Sequence, residues 1–85
     1  MFTGIVDHCG TITQIETRPE SQRIWIRNSF ENLMPGESIA VDGICLTAAQ
    51  IQQDIFCCDI SPETGQLTTA KNFKLTQKVN LERAL

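Results

Sequence analysis

SIAVDGICLTAAQIQQDIFCCDI, residues 38–60, is the stretch whose reading decides the fold. Ser38 to Val41 and Ile44 to Ile51 are extended, mostly apolar runs on either side of Asp42-Gly43. That pair takes positive φ readily and joins two antiparallel strands through a two-residue turn. Gln52-Gln53-Asp54 supplies a second reversal before a third run, Ile55 to Ile60. Three strands linked by tight turns make a meander, so the chain is read as β from its middle outward.

Toward the N-terminus, Gln22 to Asn28 alternates cleanly: Ile24 and Ile26 share one face, Arg23, Trp25 and Arg27 the other. Such a period of two marks a strand with one face in a core. Phe2 to Val6 is read as a first strand and Gly10 to Glu16 as a second, with Arg18 to Ser21 as a turn. Ser29 to Met34 is expected to form one helical turn capped by Ser29 and ended by Pro35-Gly36. Toward the C-terminus, Ser61-Pro62-Glu63-Thr64 places a cap residue before proline and an acid, the start of a short helix that Gly65 limits. Lys78 to Leu85 reads as a last strand with Val79 and Leu81 on one side. Six or seven short strands at this spacing predict an all-β chain, read as a small six-stranded antiparallel Greek-key barrel with one or two helical turns. The 85 residues contain no repeat, low-complexity tract or linker and are read as a single domain, 1–85.

Seven Lys plus Arg against ten Asp plus Glu give a formal net charge of −3, which argues against nucleic acid and anionic membranes as partners. No apolar run approaches the ~18 residues that span a bilayer, and a cytoplasmic protein is expected. Cys9, Cys45, Cys57 and Cys58 form no CxxC pair and His8 is the only histidine, so no metal site is expected. Adjacent Cys57 and Cys58 point to opposite faces of an extended run and are read as small buried apolar side chains rather than a disulfide.

The most suggestive polar cluster is Ser38, Cys45 and Thr47 with Asp59 and Thr64. These residues lie on adjoining strands and at a strand-to-helix corner. Cys45 and Thr47 share a face, with Leu46 on the other. A common pocket and a simply buried thiol beside a satisfied hydroxyl are both consistent with that spacing. The helix start at Ser61 offers unpaired N–H groups to a ligand, although such corners mostly just cap. His8 has no visible partner and is read as a surface histidine, and Trp25 between two arginines as a solvated or packed face.

Four segments carry a resemblance: MFTGIV at 1–6, DGICLT at 42–47, SPET at 61–64 and VNLERAL at 79–85. They are similar to the N-terminal half of riboflavin synthase. The resemblance runs from Met1 to Leu85. It implies two such barrels in tandem, a homotrimer, and a site between the N-terminal barrel of one subunit and the C-terminal barrel of a neighbour. The isolated barrel is expected to dimerise through the wall that a partner barrel would cover. The implied reaction is a dismutation: one 6,7-dimethyl-8-ribityllumazine gives a four-carbon unit to another, forming riboflavin and a ribitylamino-pyrimidinedione. No cofactor is implied, because the ring itself supplies the electron sink and an acidic methyl.

On matching positions, the resemblance places Gly4, Ile5 and Val6 along the ring, with Cys45, Leu46 and Thr47 beside them. Asp59, Ile60, Ser61, Pro62, Glu63 and Thr64 would hold the ring edge and ribityl chain. Ser38 and Cys45 match positions implicated in catalysis. Gly65-Gln66-Leu67 departs from the leucine and arginine common after the Glu-Thr pair, so the resemblance carries no basic contact there. The Gly-Gly-His segment and the second barrel of the family lie outside these 85 residues. A non-catalytic relative similar to lumazine protein, an antenna holding one lumazine or flavin, would share the same binding residues.

Overall fold

A computed structural model describes residues 1–62, 64 and 72–85. Six strands form among them: β1 (His8–Thr17), β2 (Gln22–Arg27), β3 (Ser38–Val41), β4 (Ile44–Gln52), β5 (Ile55–Ile60) and β6 (Lys78–Arg83). They close into an antiparallel barrel in the order β1-β2-β5-β4-β3-β6, with β6 returning to β1. Closure leaves no unpaired edge for another chain to extend.

The alternation predicted for β2 decides its orientation. Ile24 and Ile26 are fully buried, whereas Arg23 and Trp25 are half-buried and Arg27 is exposed. Pairing then aligns buried side chains in layers. Ile12 faces Ile26, which faces Phe56, and Ile24 faces Cys58, which faces Ala48. Ile39, Val41, Val79 and Leu81 complete the interior. Asp42 and Gly43 turn with φ of 49° and 82°, the double positive φ that a tight hairpin needs. Two register shifts leave Thr13 in β1 and Ala49 in β4 as extra residues, the bulges that bend strands around a small barrel. Cys57 and Cys58 are both buried free thiols, Cys58 inside the barrel and Cys57 on the outer face between Trp25 and Gln50.

Two predicted elements are absent. Phe2 to Val6 is not a strand: Gly4 has φ 84°, and the N–H groups of Thr3 and Gly4 go to the carboxylate of Glu82 rather than to a ladder. Ladder-like bonding starts at Asp7, whose N–H donates to the Leu81 carbonyl at 2.8 Å. Ser29 to Met34 is not helical either, because its backbone groups find other partners. The Ser29 N–H donates to His8 Nε2 at 2.9 Å and the Phe30 N–H to Asn28 Oδ1 at 3.0 Å. The carbonyls of Glu31 and Asn32 accept from the Arg83 guanidinium at 2.7 and 3.0 Å. His8 is therefore partnered, and its ring also packs edge-on against Phe30 at 4.5 Å. Phe30 and Leu33 pack on the core, so this loop plugs one end of the barrel.

Candidate functional site

The outer face of the barrel carries an open cleft of about 340 Å³ between β4, β5 and the corner that follows β5. Cys45, Leu46, Thr47, Ala49, Asp59, Ser61 and Thr64 line it. Cys45 and Thr47 reach it because outward positions alternate along β4, while Leu46 turns its side chain to the core. Six residues singled out from sequence thus meet in one place. Ile60, by the same alternation, puts its side chain into the core and offers only backbone to the cleft. Pro62 is exposed at the helix start, and Glu63 and Gly65 to Leu67 lie outside the described residues.

The corner forms as its residue types require. Ser61 Oγ accepts the Thr64 N–H at 3.1 Å, the cap expected ahead of Pro62, and donates to Thr64 Oγ1 at 3.0 Å. Asp59 faces Arg23 directly across β5 and β2, and the two make a bidentate pair at 2.7 and 2.8 Å. The hydrogen bond from Arg23 is the main force holding the Asp59 carboxyl below its ordinary range, against a smaller opposing effect of burial. The cleft therefore has an ionised rim whose remaining lone pairs can accept from ligand hydroxyls or N–H groups.

A second, smaller cleft of about 110 Å³ is lined by Gly4, Val6, Ala40, Gly43, Asn80, Leu81 and Glu82. Register places the two on neighbouring strands. Ala40 pairs with Cys45 on one side and with Glu82 on the other, so Glu82, Ala40 and Cys45 form a row across β6, β3 and β4 on one face. Ala40, 6% exposed, carries the smallest side chain of the row and lines the smaller cleft. Ser38 lies opposite Thr47 in the next row, beside the cleft rather than in its lining. Ile5 and Val6 stand exposed along the rim, Ile5 at 73%.

Sequence reasoning missed Glu82. It is 7% exposed, one of two buried polar residues among the described ones, and sits where an outward strand position would ordinarily meet water. Among the described residues no group of three or more His, Cys, Asp or Glu is placed to hold a metal ion.

The sequence model of the lumazine binding domain matches residues 3–84. This chain belongs to that family. Over its whole length the lumazine-binding domain is 39% identical to riboflavin synthase of Bacillus subtilis (strain 168), covering 40% of that protein. It is also 39% identical to riboflavin synthase of Chlamydia muridarum (strain MoPn / Nigg), covering 43%. The domain thus spans about two fifths of the length of the curated relatives it matches. Its fold is that of LumP: TM-scores are 0.91 to the complex with riboflavin and 0.92 to that with 6,7-dimethyl-8-(1'-D-ribityl) lumazine, at 19% identity. These alignments take in 98% of this chain and 47% and 49% of LumP.

Proposed function

We propose that this chain, residues 1–85, is the N-terminal barrel of a riboflavin synthase and holds one 6,7-dimethyl-8-ribityllumazine across its two neighbouring clefts. The observation that carries this reading is the meeting of Cys45, Thr47, Asp59, Ser61 and Thr64 in one cleft of a chain that aligns end to end with riboflavin synthases. The ring would lie over Ala40 between Val6 and Cys45, and the ribityl hydroxyls would meet Asp59, Ser61 and Thr64. Glu63, next to Pro62 in sequence, completes the set carried by the resemblance.

In the dismutation, one lumazine passes a four-carbon unit to a second, leaving riboflavin and 5-amino-6-ribitylamino-pyrimidinedione. The ring serves as its own electron sink, so no cofactor is required of the protein. Its work is to orient two rings and to handle protons, and orientation alone is worth up to about 7–11 kcal/mol of barrier in favourable cases. Cys45 and Ser38 are the candidates for proton handling or addition to the ring. The second lumazine would be held by a second barrel, which makes the full protein a homotrimer working in the cytoplasm and leaves the isolated barrel prone to dimerise. The strand order, with β6 returning beside β3 after the β3-β4-β5 meander, fits a Greek key.

The alternative is a non-catalytic lumazine or flavin holder, favoured only by the fold shared with LumP. Incubating the full-length protein with 6,7-dimethyl-8-ribityllumazine and following riboflavin absorbance separates the two. Riboflavin formation that falls in Cys45→Ser and Ser38→Ala, with binding retained, is the expected result. An unmutated protein that binds but never forms riboflavin would establish the holder instead.

A further inference from the structure

We infer that Glu82 is a positioning residue that sets the Gly4–Val6 backbone against the ligand ring. This rests on the proposed ring site and adds to it a residue with no direct ligand contact. The carboxylate accepts three hydrogen bonds from one short segment: the Thr3 N–H at 2.5 Å, the Thr3 hydroxyl at 3.0 Å and the Gly4 N–H at 3.0 Å. Since the Thr3 hydroxyl donates to Glu82, its lone pairs are turned to accept, and they take the Ile5 N–H at 3.1 Å. One side chain thus determines where three consecutive N–H groups point.

Residues 1–7 lie outside the strands: the Met1 carbonyl accepts the Leu85 N–H and the Asp7 N–H donates to the Leu81 carbonyl, both at 2.8 Å, and between these anchors Thr3, Gly4 and Ile5 form a short segment whose N–H groups go to side chains rather than to a ladder. Free of Glu82, this segment would sample many conformations and would lose that freedom only on binding, at a cost of about 1–2 kcal/mol per residue fixed. Glu82 meets that cost in advance. Its place in the row with Ala40 and Cys45 puts the anchored segment at one end of the proposed ring site and the Cys45 thiol at the other. A carboxylate is required here. An amide of the same shape presents its oxygen either to the two Thr3 donors or to the Gly4 N–H and aims its NH₂ at the other, so Gln keeps at most two of the three bonds and sets donor against donor at the remaining place.

The test is titration of the 85-residue chain with 6,7-dimethyl-8-ribityllumazine, followed by ligand fluorescence. Binding by the unmutated chain is the control on the site itself: absence of saturable binding would refute the ring site and leave the role of Glu82 without a subject. Given binding, Glu82→Gln should weaken it at least about tenfold, the factor that 1.4 kcal/mol represents. The absorption spectrum of the saturated complex should also shift. Thr3→Val, nearly isosteric and outside every strand, cannot unfold the barrel and should weaken binding in the same direction. The double variant should bind no worse than Glu82→Gln, because both changes break one network. Wild-type affinity in Glu82→Gln, or losses that multiply in the double variant, would overturn the inference. If Glu82→Gln does not fold, wild-type affinity and an unchanged bound spectrum in Thr3→Val would do so.

Discussion

Among the described glycines Gly10 is the one with no room for a side chain, and Gly10→Ala is expected to destabilise the barrel by about 2–3 kcal/mol. A Cβ built on Gly10 would lie 2.6 Å from Leu81 Cδ1, 2.7 Å from the Arg27 carbonyl oxygen and 2.8 Å from Ile26 Cγ2. Comfortable carbon contacts fall at about 3.5–4.0 Å, so each approach is roughly an ångström too close. The leucine and isoleucine carbons can move only within a filled core. The Arg27 oxygen cannot rotate away at all, because it belongs to the backbone of β2 opposite Thr11. Relief requires β1 to back away from β2, which strains the pairing with β6 that closes the barrel. Against this stands a gain of about 0.4–1 kcal/mol from the lower chain entropy of unfolded alanine. Overpacking commonly costs about 1–3 kcal/mol, and a fixed backbone atom places this case at the upper end. For a domain this small each kcal/mol shifts the midpoint by about 4–8 °C, so thermal unfolding should drop by about 10–20 °C. Trp25, the only tryptophan, lies on β2 beside the disturbed strand and reports the transition by fluorescence. A variant that melts at or above the unmutated midpoint would show that the strands relax without cost, and the close-packing argument would fail.

Acid should weaken the fold through two carboxylates. Hydrogen bonds from Arg83 and, secondarily, from the Met34 N–H hold Glu37 below its ordinary value, and Arg23 does the same for Asp59. Both shifts are depressions, so their stabilisation is complete above the unfolded values of about 4.3 and 3.9 and disappears as pH falls through the lower folded ones. The thermal midpoint should therefore hold between pH 7 and 5 and decline below about 4, with a shallower decline in Glu37→Gln; a steepest loss between pH 7 and 5 would contradict the assignment. Thiol chemistry should divide the cysteines: Cys9 and Cys45 are exposed, whereas Cys57 and Cys58 are buried, and burial pushes the Cys58 thiol up to about 12. A chromogenic thiol reagent should titrate the first two rapidly and the other two only after denaturation, and bound lumazine should slow Cys45 more than Cys9, which sits beside Asn80 at the border of the smaller cleft. Four rapid thiols in the native protein would contradict the burial, and equal protection of Cys9 and Cys45 would place the ligand elsewhere.

What the chain determines locally is the set of elements whose causes lie within a few residues. Alternation of Ile24 and Ile26 with Arg23, Trp25 and Arg27 makes β2 a wall of the core. Asp42-Gly43 makes the β3-β4 hairpin, and Ser61 before Pro62 makes the cap, each through torsions or bonds that a short segment satisfies alone. The same period of two places Cys45 and Thr47 on one outward face, and the resemblance carried by MFTGIV, DGICLT and SPET names the ligand chemistry. Where backbone groups must be satisfied from far away, only closure of the barrel decides. Phe2 to Val6 has strand-forming residues, yet it is held off the ladder by Glu82, 79 positions from Thr3. Ser29 to Met34 has a helix-like composition, yet it is drawn into a plug by His8 on one side and Arg83 on the other. Local propensity is worth tenths of a kcal/mol per residue, whereas a buried carboxylate such as Glu82 left without its partners costs several and the half-buried Arg83 guanidinium adds charge-assisted bonds, so the distant partner prevails. For that reason the strands are legible in the sequence, while the row of Glu82, Ala40 and Cys45 that sets the two clefts beside each other exists only once β6, β3 and β4 lie side by side.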